Sequence, residues 1–268
     1  MPKKKINIGV LAHNLVRYVY PVIILLLLVA CGESGSSVNV SSLPDITEFL
    51  SAPSDRFLVD IADISDGHPF KGKNANDPHQ GAHLNWDSAN GVWPKGGTNP
   101  ENFPPIYAVA DGTIKRKETY HPVYPSGKPV HYRYGLSLAF AQSNGQMVTF
   151  EYSIEPFVDP SDSSFYEPYM LVNVGDNVKK GDVIAYMYLN PSAGLSAHIH
   201  FDLTSEEESG RVSEDFKAPA IFTSSIVEAF HAKWNVFAKD GSDVIPPCIG
   251  YKLTAEENVY GTGSVTTQ

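Results

Sequence analysis

The sequence predicts a mainly β fold, a compact antiparallel β-sheet body with small helical additions. Three observations carry that prediction. Between residues 105 and 203 the chain reads as a series of short β runs. Tight-turn residues separate the runs, Asp111-Gly112 and Ser143-Asn144-Gly145 among them. Helical spacing is confined to a late stretch, 219–236.

Taken in order, DITEFL and then RFLVDIAD within 44–72 predict a short helix and a strand. Residues 73–104 are rich in Gly, Asn, Asp and Pro and read as loop. Ile106–Val109 and Thr113–Lys117 flank Asp111-Gly112 and predict a hairpin. Leu136–Gln142 and Gln146–Ile154 flank Ser143-Asn144-Gly145 and predict a second one. Val183–Leu189 and Ala197–Leu203 add two strands. Ile221, Ile226, Val227, Phe230 and Trp234 share one helical face, so a helix packs late. The last eight residues are polar and read as frayed, and no internal repeat is visible.

Composition narrows the class of function. The 268 residues are 42% hydrophobic and 19% charged, which excludes collagen-like and disordered chains. With 20 basic and 30 acidic residues the formal charge is −10, which argues against nucleic acid or anionic lipid as the main ligand. Two cysteines cannot build a disulfide framework. Lys3, Lys4, Lys5 and Arg17 precede an apolar run, Tyr18 to Ala30, too short for a comfortable membrane span and interrupted by Pro21. That is the pattern of a secretory signal. Leu28-Val29-Ala30-Cys31-Gly32 resembles the bacterial lipobox, which implies cleavage before Cys31 and membrane attachment through a lipid on its thiol. The expected product is an exported lipoprotein of the cell envelope, with the periplasmic side of an outer membrane as its place if the cell has one. The domain plan is 1–30 signal peptide, 31–43 lipidated Cys31 and flexible tether, 44–78 N-terminal extension, 79–203 functional domain and 204–268 C-terminal extension with one helix. Cys248, beside Pro246-Pro247, reads as a buried, inert thiol.

The chemistry-bearing residues fall in two clusters. His198-Ile199-His200 lies in a predicted strand, where residues i and i+2 share a face and both imidazoles reach one site. Taken alone, the pair fits metal ligands or partly solvated surface histidines. Upstream, His79 and the segment His83-Leu84-Asn85-Trp86-Asp87 place a carboxylate four residues after an imidazole. Together the clusters supply His, Asp and His, a donor set suited to Zn²⁺ with a fourth position left for water.

The order of these elements resembles the M23 family of zinc metallopeptidases, the lysostaphin-like peptidoglycan endopeptidases. That family carries H-x-G-x-D, a P-V-x-A-x-x-D-G-x-V segment, a Y-G-x-x-V strand pair running into Y-A-H-L, a V-x-x-G-D-x-V-x-x-G-Q-x-I segment and H-L-H-F-E. Here stand His83-Leu84-Asn85-Trp86-Asp87, PIYAVADGTI (105–114), YGLSLAFAQSNG (134–145), VGDNVKKGDVI (174–184) and His198-Ile199-His200-Phe201-Asp202. The resemblance spans residues 79–203 and implies the family's duplicated-hybrid-motif-like β fold. It assigns His83, Asp87 and His200 to the metal and His198 to the catalytic histidine beside it. Two positions depart from the pattern. Asn85 replaces the glycine of H-x-G-x-D, and FEYSI (150–154) puts Tyr152 where the family has another active-site histidine. His121 and His131 read as exposed loop histidines.

The resemblance implies a membrane-anchored zinc peptidase acting on peptidoglycan or another peptide substrate. In that scheme the ion activates water and polarises the scissile carbonyl, His198 moves the proton, and the Tyr152 hydroxyl donates to the oxyanion. The alternative is a metal-retaining domain without hydrolytic activity that binds wall or regulates another wall enzyme. Residues 88–104, 118–133 and 157–170 read as loops around the cleft, and Glu206-Glu207-Glu208 as a solvated turn.

Overall fold

The alternating strands pair into one large antiparallel sheet with a two-stranded companion, in agreement with the predicted mainly β class. A computed structural model describes residues 38–68, 82–86, 93–123, 130–156, 164–189, 197–207, 210–213 and 221–233. The strands are β1 (Asp66–His68), β2 (Ala82–Asn85), β3 (Pro105–Tyr107), β4 (Gly112–Val123) and β5 (His131–Ser143). They continue with β6 (Gln146–Glu155), β7 (Asn177–Val178), β8 (Val183–Tyr186), β9 (His198–Glu207) and β10 (Gly210–Ser213). The large sheet runs β1-β2-β9-β6-β5-β4-β7, with β10 pairing the far end of β9, while β3 and β8 form the small sheet.

The β5–β6 hairpin is the spine of the sheet. Asn144 and Gly145 both have positive φ, 53° and 80°, the geometry of a primed two-residue turn whose twist matches the strands it joins. That turn sets Ser143 opposite Gln146, and the register carries through to Tyr134 opposite Ile154, with one irregularity near Ala139. Alternate residues Phe150, Tyr152 and Ile154 of β6 and Ile199, Phe201 and Leu203 of β9 are buried on one face. Segment 57–59, the small sheet, Phe222 and the C-terminal helix supply the buried residues that join this face in one core, among them Phe57, Ile106, Ile184 and Phe230. Phe57 stacks its edge on Phe201 and Phe222, with centroids 5.5 and 5.1 Å away.

Helix α1 (Ile46–Ser51) starts at Asp45, whose carboxylate accepts from the Thr47 amide at 2.9 Å. Helix α2 (Ser224–His231) lies within the stretch predicted to be helical. It covers β1 so closely that a Cβ on Gly67 would come within 2.8 Å of the Phe230 ring and 2.6 Å of the His83 carbonyl oxygen. Gly67 therefore permits the approach.

Several expectations are corrected. RFLVDIAD is not a strand: Phe57, Leu58 and Val59 are buried, but the segment turns into a 3-10 turn at Ile61–Asp63. The loop predicted over 73–104 contains β2, which pairs β1 and β9. Asp111-Gly112 does not join a hairpin, because β3 pairs β8 whereas β4 pairs β5 and β7. The 118–133 loop is mostly strand, since β4 runs to Val123 and β5 begins at His131. Glu206 and Glu207 belong to β9 rather than to a turn. Part of the tether is ordered, with a 3-10 turn at Val40–Ser42 capped by Asn39. The signal segment, Cys31, His79, Asp87, Cys248 and the C-terminal tail lie outside the described residues. Among the described residues no helix is long and apolar enough to cross a membrane.

Candidate metal centre

The face of the large sheet opposite the aromatic core carries the polar residues, and the strand registers set which of them meet. His83 on β2 lies directly opposite His200 on β9, and Asn85 lies opposite His198. On the other side of β9, Ser153 and Glu155 of β6 stand opposite His200 and His198. Directly opposed residues of an antiparallel pair share a face, so these side chains form one patch. His68 of β1 is in register with His83 along the β1–β2 pair.

The three imidazoles converge. His83, His198 and His200 each present a ligand atom within 4.8 Å of the others. The His83 and His200 rings stack with centroids 4.4 Å apart, and His198 meets His83 edge-on at 4.5 Å. Neutral imidazole is a common metal ligand, and zinc takes three protein donors in catalytic sites. The donor set therefore fits a divalent transition ion. Asn85 leaves the centre to the histidines and donates from Nδ2 to Asp66 Oδ1 at 2.6 Å.

Glu155 closes the patch from β6. Its Oε2 lies 2.8 Å from His131 Nε2 and 3.0 Å from His198 Nε2, and its Oε1 lies 3.7 Å from His200 Nε2. Glu155 is 6% exposed, and burial pushes its pKa up. Hydrogen bonds to His131 and His198, with the charges of His198 and His200, outweigh that and hold it well below the usual carboxylate range. His131, expected as an exposed loop histidine, is thus a buried β5 residue attached to the centre through Glu155. His121 lies in β4, opposite Arg133.

Tyr152 is not brought to this site. Strand alternation turns it to the core face, beside Phe150 with ring centroids 4.9 Å apart. Its hydroxyl accepts a hydrogen bond from the Val109 amide at 3.1 Å. Burial raises its phenol far above the ordinary range, and the Val109 bond only partly offsets this. Tyr152, expected as an oxyanion donor, stands on the core face because one step along β6 reverses the side chain. Asp87, the carboxylate expected at the metal, lies outside the described residues.

Glu155 and His131 escaped the sequence reading, though a signal was present. In FEYSIE, Glu151, Ser153 and Glu155 alternate with Phe150, Tyr152 and Ile154, so Glu155 belongs to the polar row that a strand turns toward His198. His131, Arg133 and Ser137 follow the same parity in β5.

Farther along the same face a second network is anchored by Glu151. Its Oε2 accepts from Ser137 Oγ at 2.5 Å and from an Arg116 guanidinium nitrogen at 2.7 Å, while Oε1 accepts from Thr149 Oγ1 at 2.7 Å. Arg116 also donates to Glu118 at 2.7 Å. Burial works against the Arg116 charge, but Glu151, then Glu118 and Asp202, more than restore it. The network lies about 13 Å from Glu155 along β6 by strand rise.

No protein-family model matches the chain, and no curated protein matches it. Several solved structures are similar to it, among them three at low identity. One is described as a glycyl-glycine endopeptidase, lytM, from Ruminococcus gnavus ATCC 29149, at 15% identity over 57% of this chain, with a TM-score of 0.27. The second is the solution structure of lysostaphin, at 16% identity over 76% of this chain, with a TM-score of 0.31. The third is LytU, at 20% identity over 57% of this chain and 82% of its own, with a TM-score of 0.27. The chain spans 57% of the length of the first and 64% of the second.

Proposed function

We propose that this chain is a zinc-dependent peptidase of the M23-like type, exported and held at a membrane through lipidated Cys31. Its proposed substrate is a peptide bond in peptidoglycan stem peptides or crosslinks. The observation that carries the reading is the convergence of His83, His198 and His200 on one face of the sheet, with ligand atoms within 4.8 Å of one another. The ordered motif series over residues 79–203 supplies the reaction class and the substrate.

In this reading His83, Asp87 and His200 would hold the ion. The bound ion would polarise a carbonyl and bring the pKa of a water molecule down toward neutrality. His198 stands beside it, tied by Nε2 to Glu155, and holds or passes the proton between water and leaving amine. The strand pairing of β2, β9 and β6 keeps these groups oriented before substrate arrives, so little is lost in ordering them.

The test is metal analysis of the purified protein, paired with digestion of purified wall sacculi. One zinc per chain with release of peptides is the expected result. Zinc without peptide release would turn the reading into a wall-binding or regulatory domain, and absence of zinc would overturn the metal centre. Membrane attachment has its own check: Cys31→Ser should abolish lipid labelling and change fractionation.

A further inference from the structure

We propose that Glu155 of β6 positions His198 for the reaction: its carboxylate fixes which ring nitrogen of His198 carries the proton, and His131 of β5 holds that carboxylate in turn. The inference rests on the role given to His198 above and deepens it; no motif of the resemblance includes Glu155 or His131.

Strand order puts β6 between β9 and β5, so Glu155 has a histidine-bearing strand on each side. It stands directly opposite His198 in the β6–β9 register. Its Oε2 lies 3.0 Å from His198 Nε2 and 2.8 Å from His131 Nε2, both hydrogen-bond distances. Its Oε1 lies 3.7 Å from His200 Nε2, beyond that reach, so the carboxylate acts on His198 and not on His200. Among the described residues, the ligand atoms that converge belong to His83, His198 and His200, and Glu155 stands outside that group.

An ionised carboxylate only accepts hydrogen bonds, so both Nε2 atoms donate to Oε2. A neutral imidazole carries one N–H, and placing it on Nε2 makes Nδ1 of His198 the nitrogen that takes a proton. Glu155, His131 and His198 are all buried, so this chain of two hydrogen bonds is not traded for bonds to bulk water. A histidine held in this way keeps one tautomer and one ring orientation before substrate arrives. Glu155 and His131 act through His198 and are positioning residues, not catalytic ones.

The test uses full-length protein in detergent, zinc-loaded and isotope-labelled at the histidine nitrogens. NMR shifts at a pH where the ring is neutral report which His198 nitrogen is protonated, with His198→Ala giving the assignment. Wild type should show a protonated Nε2 and a bare Nδ1; a protonated Nδ1, or zinc on Nε2, would overturn the proposal. Glu155→Gln should give a mixture of tautomers with zinc content as in wild type. Its turnover of crosslinked peptide fragments cut from purified sacculi should fall about 10–100-fold per zinc-loaded molecule, in kcat with KM unchanged. His131→Ala should move both readouts less in the same direction, and His131→Gln, which restores a donor near the lost Nε2, should bring them back toward wild type. An unchanged tautomer in Glu155→Gln overturns the proposal, and so does loss of zinc, which would make the carboxylate a support of the metal ligands. If Glu155→Gln does not fold, the wild-type shifts and the two His131 variants decide. A wild type with neither zinc nor turnover overturns the peptidase reading, while its His198 shifts, read in the metal-free chain, still decide the role of Glu155.

Discussion

The two faces of the large sheet are made from the same strands and have opposite chemistry. On β6, Phe150, Tyr152 and Ile154 enter an aromatic core, while Glu151, Ser153 and Glu155 face the histidines and the arginine network. On β9, Ile199 and Phe201 take the first side, and His198 and His200 the second. A difference of one residue therefore decides whether a side chain stabilises the fold or builds the site. Substitutions on the two faces should accordingly separate stability from metal binding.

The largest loss of stability is expected on the core face. Phe150 is fully buried, stacks on Phe201 at 5.6 Å and meets Phe222 edge-on at 6.1 Å. Phe150→Ala should cost about 3–5 kcal/mol in denaturant unfolding. Metal affinity should persist in whatever fraction remains folded. Across the sheet, His200→Ala should reverse the pattern. Zinc affinity should fall by more than about 100-fold, beyond the loss from weakening a ligand's support, while the unfolding midpoint of metal-free protein stays close to wild type. Equal zinc content in the two proteins would break the comparison.

Tyr152→Phe sharpens it, because this residue was expected to be catalytic. The substitution leaves the ring in the core and strips the Val109 amide of its hydroxyl partner. Stability should drop by about 1–3 kcal/mol, the cost of a buried donor left unsatisfied. Turnover per folded, zinc-loaded molecule should not change; a fall of 10²-fold would return the hydroxyl to the site. The smallest effect is expected one residue later. Ser153 is partly exposed on the polar face, and Ser153→Ala should move unfolding free energy by no more than about 0.5 kcal/mol. A larger shift would show that the polar face contributes to the core's stability.

Local signals explain which elements were legible. The β5–β6 hairpin was readable because an Asn-Gly turn and period-two alternation agree on one structure. Asp111-Gly112 also marks a reversal, but a turn does not name its strands' partners, and β3 found β8. Phe57, Leu58 and Val59 announced burial, and burial needs no ladder. Strand β2 sat in a polar, turn-rich stretch, and its pairing with β1 and β9 was invisible locally.

The sequence by itself determined that His198 and His200 share a face, since a strand repeats every two residues whatever surrounds it. It also determined the late helix, the central hairpin and the polar row that ends at Glu155. Only the tertiary structure decided which residues stand across from that pair. Cross-strand neighbours depend on register and strand order, long-range quantities set by turn geometry and by which face can be buried. Those quantities brought His83 and Glu155 to the histidines, joined His131 through Glu155, and sent Tyr152 into the core.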